Sequence, residues 1–210
     1  MDRYSSYAEL SAREREGIGY RIIEVVRPSQ VVVLAPHGGC IEPTTSLIAA
    51  AIAGDDHSLY CFEGLRRGRP HGDLHITSAR FDEQRAMRLV TGASIAVAVH
   101  GRLERTDPDG IWLGGLDAGL MELAAEELRT TGFRCRTDVE ELAGKGPANI
   151  CNCTTTGQGL QLELPPALRD RLRDDAELLL RLAGSIRTAI AVRPARPLAD
   201  RSPRTSSSLS

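Results

Sequence analysis

The run VVVLAPHGGCIE, Val31 to Glu42, carries both a strand and the start of a site. Val31 through Ala35 are continuously apolar, a stretch too short for a buried helix and typical of a parallel strand covered on both faces. Pro36 has no N–H to give to a ladder, so the strand is predicted to end there. His37 then lies just past the carboxyl end, where open α/β sheets collect their ligands. Gly38 and Gly39 permit a tight reversal, and such a turn brings Glu42 to the same point in space. A His and a carboxylate meeting at a strand end are either two ligands of a catalytic zinc or a polar loop with a hydrogen-bonded His. This stretch alone leaves both readings open.

The pattern returns downstream. Ser94 to Val99 (SIAVAV) is a second strongly apolar strand, and it runs into His100-Gly101. Two histidines, each at the mouth of a buried strand, together with Glu42 make a His-Glu-His set with one short and one long spacer. Catalytic zinc uses three protein ligands of this kind and keeps a fourth position for water, so the recurrence favours the metal reading.

Outward from these strands the chain alternates strand and helix, the pattern of an α/β fold with a mostly parallel sheet. A short helix is predicted over residues 4–16, with Ser5 or Ser6 as its cap, and Arg21 to Val26 reads as a strand. Pro43 and Thr44 open a helix that stops at Gly54, and Ser58 to Phe62 is another strand. The Arg/Gly-rich EGLRRGRPHGD reads as a surface loop. Leu74 to Thr77 is predicted as a short strand with His75 and Thr77 on one face, and Asp82 as the cap of the next helix. Ile111 to Leu113 is a strand, Leu116 to Leu128 a helix with an apolar face closed by Gly132, and Phe133 to Arg136 an outer strand. Gly159 to Leu164 alternates Leu160, Leu162 and Leu164 against Gln161 and Glu163, as a half-buried strand does. Glu163 then faces solvent, the commoner case, or a cleft. Pro165 and Pro166 open one long helix that ends before Pro194.

With 210 residues, 41% apolar, the chain suffices for one domain with a substantial core, placed at residues 1–192. The Pro/Ser/Arg-rich stretch 193–210 is expected to be a disordered tail. A net charge of −2 gives no bulk attraction to nucleic acid or an anionic membrane, so neither is expected as a partner. No apolar run reaches the roughly 20 residues of a membrane span, and the first residues lack the apolar core of a secretory signal. The expected location is the cytoplasm, where five cysteines without a CxxC pair fit reduced thiols.

The motifs APHGGCIEP, LHITSARFDE, AVHG, GGLD, NICN and GLQLELP, in this order between about Tyr4 and Arg173, resemble the poly-γ-glutamate hydrolase family of phage-type and bacterial zinc peptidases. The resemblance implies a carboxypeptidase-like fold, a mixed, mostly parallel sheet flanked by helices, holding one zinc per chain. It implies His37, Glu42 and His100 as zinc ligands and Glu163 as general base, which turns Glu163 from solvent toward the metal. It also makes Asn149 and Asn152, within matched motifs, candidate substrate contacts, and His75 either a substrate contact or a residue that supports the metal ligands from behind. Two departures stand out. Cys40 and Thr44 occupy places where the family pattern has glycine, and Cys153 stands where an Arg commonly follows the second Asn. That Arg suits bidentate binding of a substrate carboxylate, which Cys153 cannot provide; Arg66, Arg67 and Arg69 are alternative sources of charge.

The function implied by the resemblance is metal-assisted hydrolysis of γ-glutamyl amide bonds, expected to be those of poly-γ-glutamate, with a small or polymeric anionic substrate as the partner. Zinc lowers the pKa of a water, and Glu163 takes its proton during attack and returns it to the leaving amine. The rival readings are a zinc amidase or deacylase acting on another acylated amino acid or cell-wall peptide, and a binding protein that has lost catalysis.

Overall fold

The computed structural model describes residues 2–103, 107–140 and 142–193. The apolar runs form strands β1 (Tyr20–Val25), β2 (Val31–Gly39), β3 (Ser58–Gly64), β4 (Ile95–Gly101), β5 (Ile111–Gly115), β6 (Cys135–Arg136) and β7 (Leu160–Leu164). They join in one sheet of order β1-β3-β2-β4-β7-β5-β6. The centre, β3-β2-β4-β7, is parallel. The edge strand β1 pairs antiparallel with β3, and β5 pairs antiparallel with β7. The fold is thus the mixed, mostly parallel α/β sheet with flanking helices that the family resemblance implied.

The helices are α1 (Tyr7–Ser11), α2 (Thr45–Ala53), α3 (Gln84–Gly92), α4 (Ala118–Thr130), α5 (Pro166–Asp174) and α6 (Ala176–Val192). Side-chain alternation along each central strand divides the core in two. Val31, Val33, Val97, Val99, Leu160, Leu162 and Leu164 pack on one face beneath α2, α4, α5 and α6. Val32, Leu34, Ala96 and Ala98 pack on the other against Leu10, Phe62, Leu74, Ile76, Phe81 and Val90. A fully buried Leu or Val is worth roughly 1.5–3 kcal/mol, so strands lined on both faces hold the sheet centre rigid under the site.

Several elements differ from the expectations above, each for a local reason. β2 does not stop at Pro36 but runs on to Gly39. Its pairing with β4 has ended by Leu34, and its register against β3 shifts between Ala35 and Gly38, so the missing N–H falls where the ladder is already irregular. β4 also continues past Val99, because His100 and Gly101 pair with Glu163 and Leu164 of β7. Leu74 to Thr77 is not a strand. Leu74 and Ile76 are buried as the alternation suggested, yet the segment joins two 3-10 turns, His71–Asp73 and Ser78–Arg80. The cap of α3 is Glu83, which accepts from Ala86 N, while Asp82 accepts from Tyr7 N at 2.6 Å. α1 is only a turn and a half, capped by Ser6.

β7 is buried on both faces rather than half-buried. The long helix expected after Pro165 is two. Asp175 leaves the helical region at φ −127°, ψ 100°, ending α5 and capping α6 by accepting from Leu178 N at 2.9 Å. The cysteines form no disulfide, all five being free. No helix among the described residues is long and apolar enough to cross a membrane. Of the expected tail, residues 194–210 lie outside the described residues.

Candidate metal centre and active site

The site forms where β2, β4 and β7 end side by side. Strict alternation from Val33 and Ala35 would aim His37 under the sheet toward α2. The extra residue that β2 carries between Ala35 and Gly38 re-aims it. The His37 ring therefore lies at 5.0 Å from the His100 ring and 6.1 Å from Phe81, on the opposite face. Gly39 then turns at φ +63°, where a Cβ would meet the Gly64 carbonyl oxygen at 2.4 Å, so only glycine fits. The reversal is locked by Glu42 N donating to His37 O at 2.8 Å and by Thr45 Oγ1 donating to Glu42 O at 2.8 Å.

His37, Glu42 and His100 are all buried. His37 Nε2 is 2.8 Å from the Ile76 carbonyl oxygen, which only accepts, so that nitrogen carries a proton, and in the neutral ring the lone pair is on Nδ1. His100 Nδ1 stands 3.2 Å from this Nδ1, and Glu42 Oε1 3.4 Å from it. Glu42 Oε2 accepts from Gly101 N at 2.8 Å and is 3.9 Å from His100 Nδ1. Burial pushes the Glu42 carboxyl up, but His37, His71 and His100 around it outweigh this and hold it well below the usual range. Burial, then the neighbouring His37, bring His100 down to about 3 against the pull of Glu42. A charged carboxylate and a neutral imidazole are the protonation states a metal requires.

The donor set fits zinc. Adjacent corners of a tetrahedron with bonds of about 2.0–2.1 Å stand roughly 3.3 Å apart. The 3.2 and 3.4 Å separations match that spacing. Two lone-pair nitrogens facing each other in a dry site also repel unless a proton or cation lies between them. Together the three residues form a group whose donor atoms lie within 4.8 Å of one another, able to hold a metal ion.

Glu163 pairs in register with His100, so its side chain joins the same face. It is buried, and Gln161 Nε2 donates to its Oε1 at 2.9 Å. Burial, then the charge of Glu42, raise its pKa well above the usual value, while Arg102, Arg169 and the Gln161 bond oppose the rise. Gln161 is itself held: it donates to Leu142 O and accepts from Asn149 Nδ2 at 2.9 Å. Asn149 thus reaches Glu163 through Gln161. Asn152 accepts from Leu116 N and Gly159 N and donates to Gly144 O and Gly146 O, so its amide is fully used in joining three loops. His75 lies tilted beside His37, ring centroids 4.0 Å apart, and Asp2 accepts from its Nδ1 at 2.8 Å.

Sequence reasoning passed over Arg102 and Arg169. Arg169 comes five residues after the LEL strand, on the first turn of α5, with Nη1 donating to Pro43 O at 2.6 Å and its guanidinium against Gly101. Arg102 lies over the Trp112 ring at 4.0 Å. A buried Arg at a helix start, or just past a strand end, leaves no periodic signal, which is why neither was visible. Of the three loop arginines, Arg69 is engaged by Glu14 and Asp73, while Arg66 and Arg67 are exposed. His71 was also missed; its Nε2 is 3.5 Å from Glu42 Oε1.

The sequence profile of the poly-gamma-glutamate hydrolases matches residues 4–184. The chain belongs to this family. Among its relatives is the SPbeta prophage-derived UPF0714 protein YoqZ of Bacillus subtilis strain 168, 34% identical over 165 residues, 78% of this chain and 58% of that protein. The chain thus spans less than two thirds of YoqZ. Among solved structures, a bacteriophage poly-gamma-glutamate hydrolase superposes with a TM-score of 0.85 at 28% identity, covering 91% of this chain and 97% of the phage protein. A zinc-free apo form of YndL superposes with a TM-score of 0.82 at 30% identity, covering 91% and 98%. The family is one of hydrolases, and its fold spans nearly all of both neighbours.

Proposed function

We propose that this chain is a zinc-dependent hydrolase cleaving γ-glutamyl amide bonds of poly-γ-glutamate, with one zinc held by His37, Glu42 and His100. The observation that carries this reading is the convergence of those three donors beside a buried carboxylate, Glu163, in a chain of this family. Bound there, zinc supplies Lewis acidity that polarises an amide carbonyl and acidifies water.

The chain's own residues do the rest. Glu163, its proton affinity raised by burial and by Glu42, takes the proton of the attacking water and delivers it to the leaving nitrogen. Gln161 holds Oε1 of that carboxylate, and Asn149 holds Gln161, so the base keeps one orientation. The positive charges of Arg102 and Arg169 beside Glu163 suit an anionic substrate. Asn149 and Asn152 support the site by shape: the bonds they make fix the loop that borders it.

The test is to incubate the purified chain with poly-γ-glutamate and with an α-linked glutamate polymer, following chain length with and without a chelator. Shortening of the γ-linked polymer alone, abolished by the chelator and restored by zinc, is expected. Hydrolysis indifferent to the chelator refutes the metal, and equal rates on both polymers favour the broader amidase, the reading to which Cys153 in place of an Arg points.

A further inference from the structure

The buried triad leaves two histidines at this end of the sheet unaccounted for. His71 and His75 stand outside it, yet their donor atoms and those of Glu42 lie within 4.8 Å of one another. Glu42 Oε1 is 3.4 Å from His37 Nδ1 on one side and 3.5 Å from His71 Nε2 on the other. The His71 and His75 rings are 4.4 Å apart between centroids. One carboxylate thus stands between two histidine pairs, His37 with His100 inside and His71 with His75 toward solvent.

His75 is prepared as a ligand. One oxygen of Asp2 accepts from its Nδ1 at 2.8 Å. The other accepts from Thr77 N at 2.9 Å and Thr77 Oγ1 at 2.7 Å, which fixes the carboxylate. With Nδ1–H given to Asp2, Nε2 is the bare nitrogen, and no hydrogen bond to it is found among the described residues. A histidine that gives one N–H to a carboxylate and leaves its other nitrogen free is the arrangement found around bound metals. His71 completes the set from a surface turn, its side chain 52% exposed and so free to close on an ion.

We propose that Glu42, His71 and His75 form a second, weaker divalent-metal site, joined to the first through the Glu42 carboxylate. Two imidazoles and a carboxylate select first-row metals such as zinc or cobalt over magnesium or calcium. Paired metals about 3.5–4 Å apart, bridged by shared ligands, are an established arrangement. The second site is the weaker one for three reasons: one ligand is half-exposed, the carboxylate is shared, and a second cation is repelled by the first. The inference rests on the reading under Proposed function only in that Glu42 is common to both.

The experiment strips the full chain with a chelator and titrates cobalt(II) into it by calorimetry, with metal counting after zinc loading. It compares the wild type with His71→Ala and His100→Ala, each checked for fold by circular dichroism. Expected are two equivalents in the wild type, one tight and one at least tenfold weaker. His71→Ala loses the weak equivalent and keeps the tight one; His100→Ala does the reverse. A single equivalent in the wild type, lost in His100→Ala and unchanged in His71→Ala, overturns the second site and leaves the first intact. A second equivalent that survives in His71→Ala also overturns it, as does loss of the tight equivalent in that variant. Two equivalents, with the tight one retained in His100→Ala and the weak one lost in His71→Ala, support the second site and instead overturn the ligands assigned to the first.

Discussion

Acidifying the metal-free protein tests the interior of the site directly. Burial and His37 hold His100 down to about 3 in the folded state, against 6.5 for an ordinary histidine. Between these values the unfolded chain binds one proton more than the folded one, so stability falls as pH falls. One proton corresponds to about 1.4 kcal/mol per pH unit, which makes about 3 kcal/mol by pH 4.5 and about 5 kcal/mol over the whole window. Glu163 acts in the opposite sense there, because its raised pKa lets the folded state hold a proton above 4.5. Glu163→Gln removes that contribution and is the right background. His75, brought down to about 4 by burial and then His37, adds its own loss and is common to both proteins compared. Urea unfolding of chelated Glu163→Gln and Glu163→Gln/His100→Asn, from pH 7 to 4.5, should give curves whose slopes differ by one proton. The second substitution shifts the level of the curve; the slope carries the test. Equal slopes would refute the claim that His100 is a neutral, water-excluded ligand.

In the zinc-loaded protein, Glu163→Gln should leave zinc content and the unfolding midpoint nearly unchanged while turnover falls by about 100-fold or more, the usual scale for a lost general base. Wild-type turnover in that variant places the base elsewhere. Gln161→Leu, which removes the donor to Glu163, should lower kcat with little change in KM; an effect confined to KM would separate Gln161 from the base. Burial raises the thiols of Cys61 and Cys151 to about 12, so a maleimide at pH 7 should label the part-exposed Cys40, Cys135 and Cys153 and reach those two only on unfolding.

What could be read in the sequence was whatever periodicity or an unbroken run enforces. Val31–Ala35 and Ile95–Val99 are strands because nothing but a twice-covered strand is that apolar over so few residues. The alternation of Leu160 to Leu164 assigned Glu163 to the face away from the leucines, and the fold then covers that face as well. Long-range partners stayed invisible. Asp2 meets His75 and Thr77 across more than seventy residues, and a lone acidic residue near the start of a chain carries no pattern to announce it. Leu74 and Ile76 bury like strand residues, but the segment pairs with no strand among the described residues and turns instead.

Pro36 shows how a local rule fails and matters at once. A proline ends a ladder by withholding an N–H, which is the ground for stopping the strand there. In the sheet it has a second effect. The β2 ladder shifts register against β3 at this point, with an extra residue in β2 between Ala35 and Gly38. One extra residue in a strand exchanges its faces. Without it, His37 would follow Val33 and Ala35 into the apolar layer beneath α2, away from His100. With it, His37 joins His100 and Glu163, each of which reaches the same face by unbroken alternation along β4 and β7. The irregularity that hides the strand's true end from the sequence is therefore what brings the His37 nitrogen to His100 and Glu42.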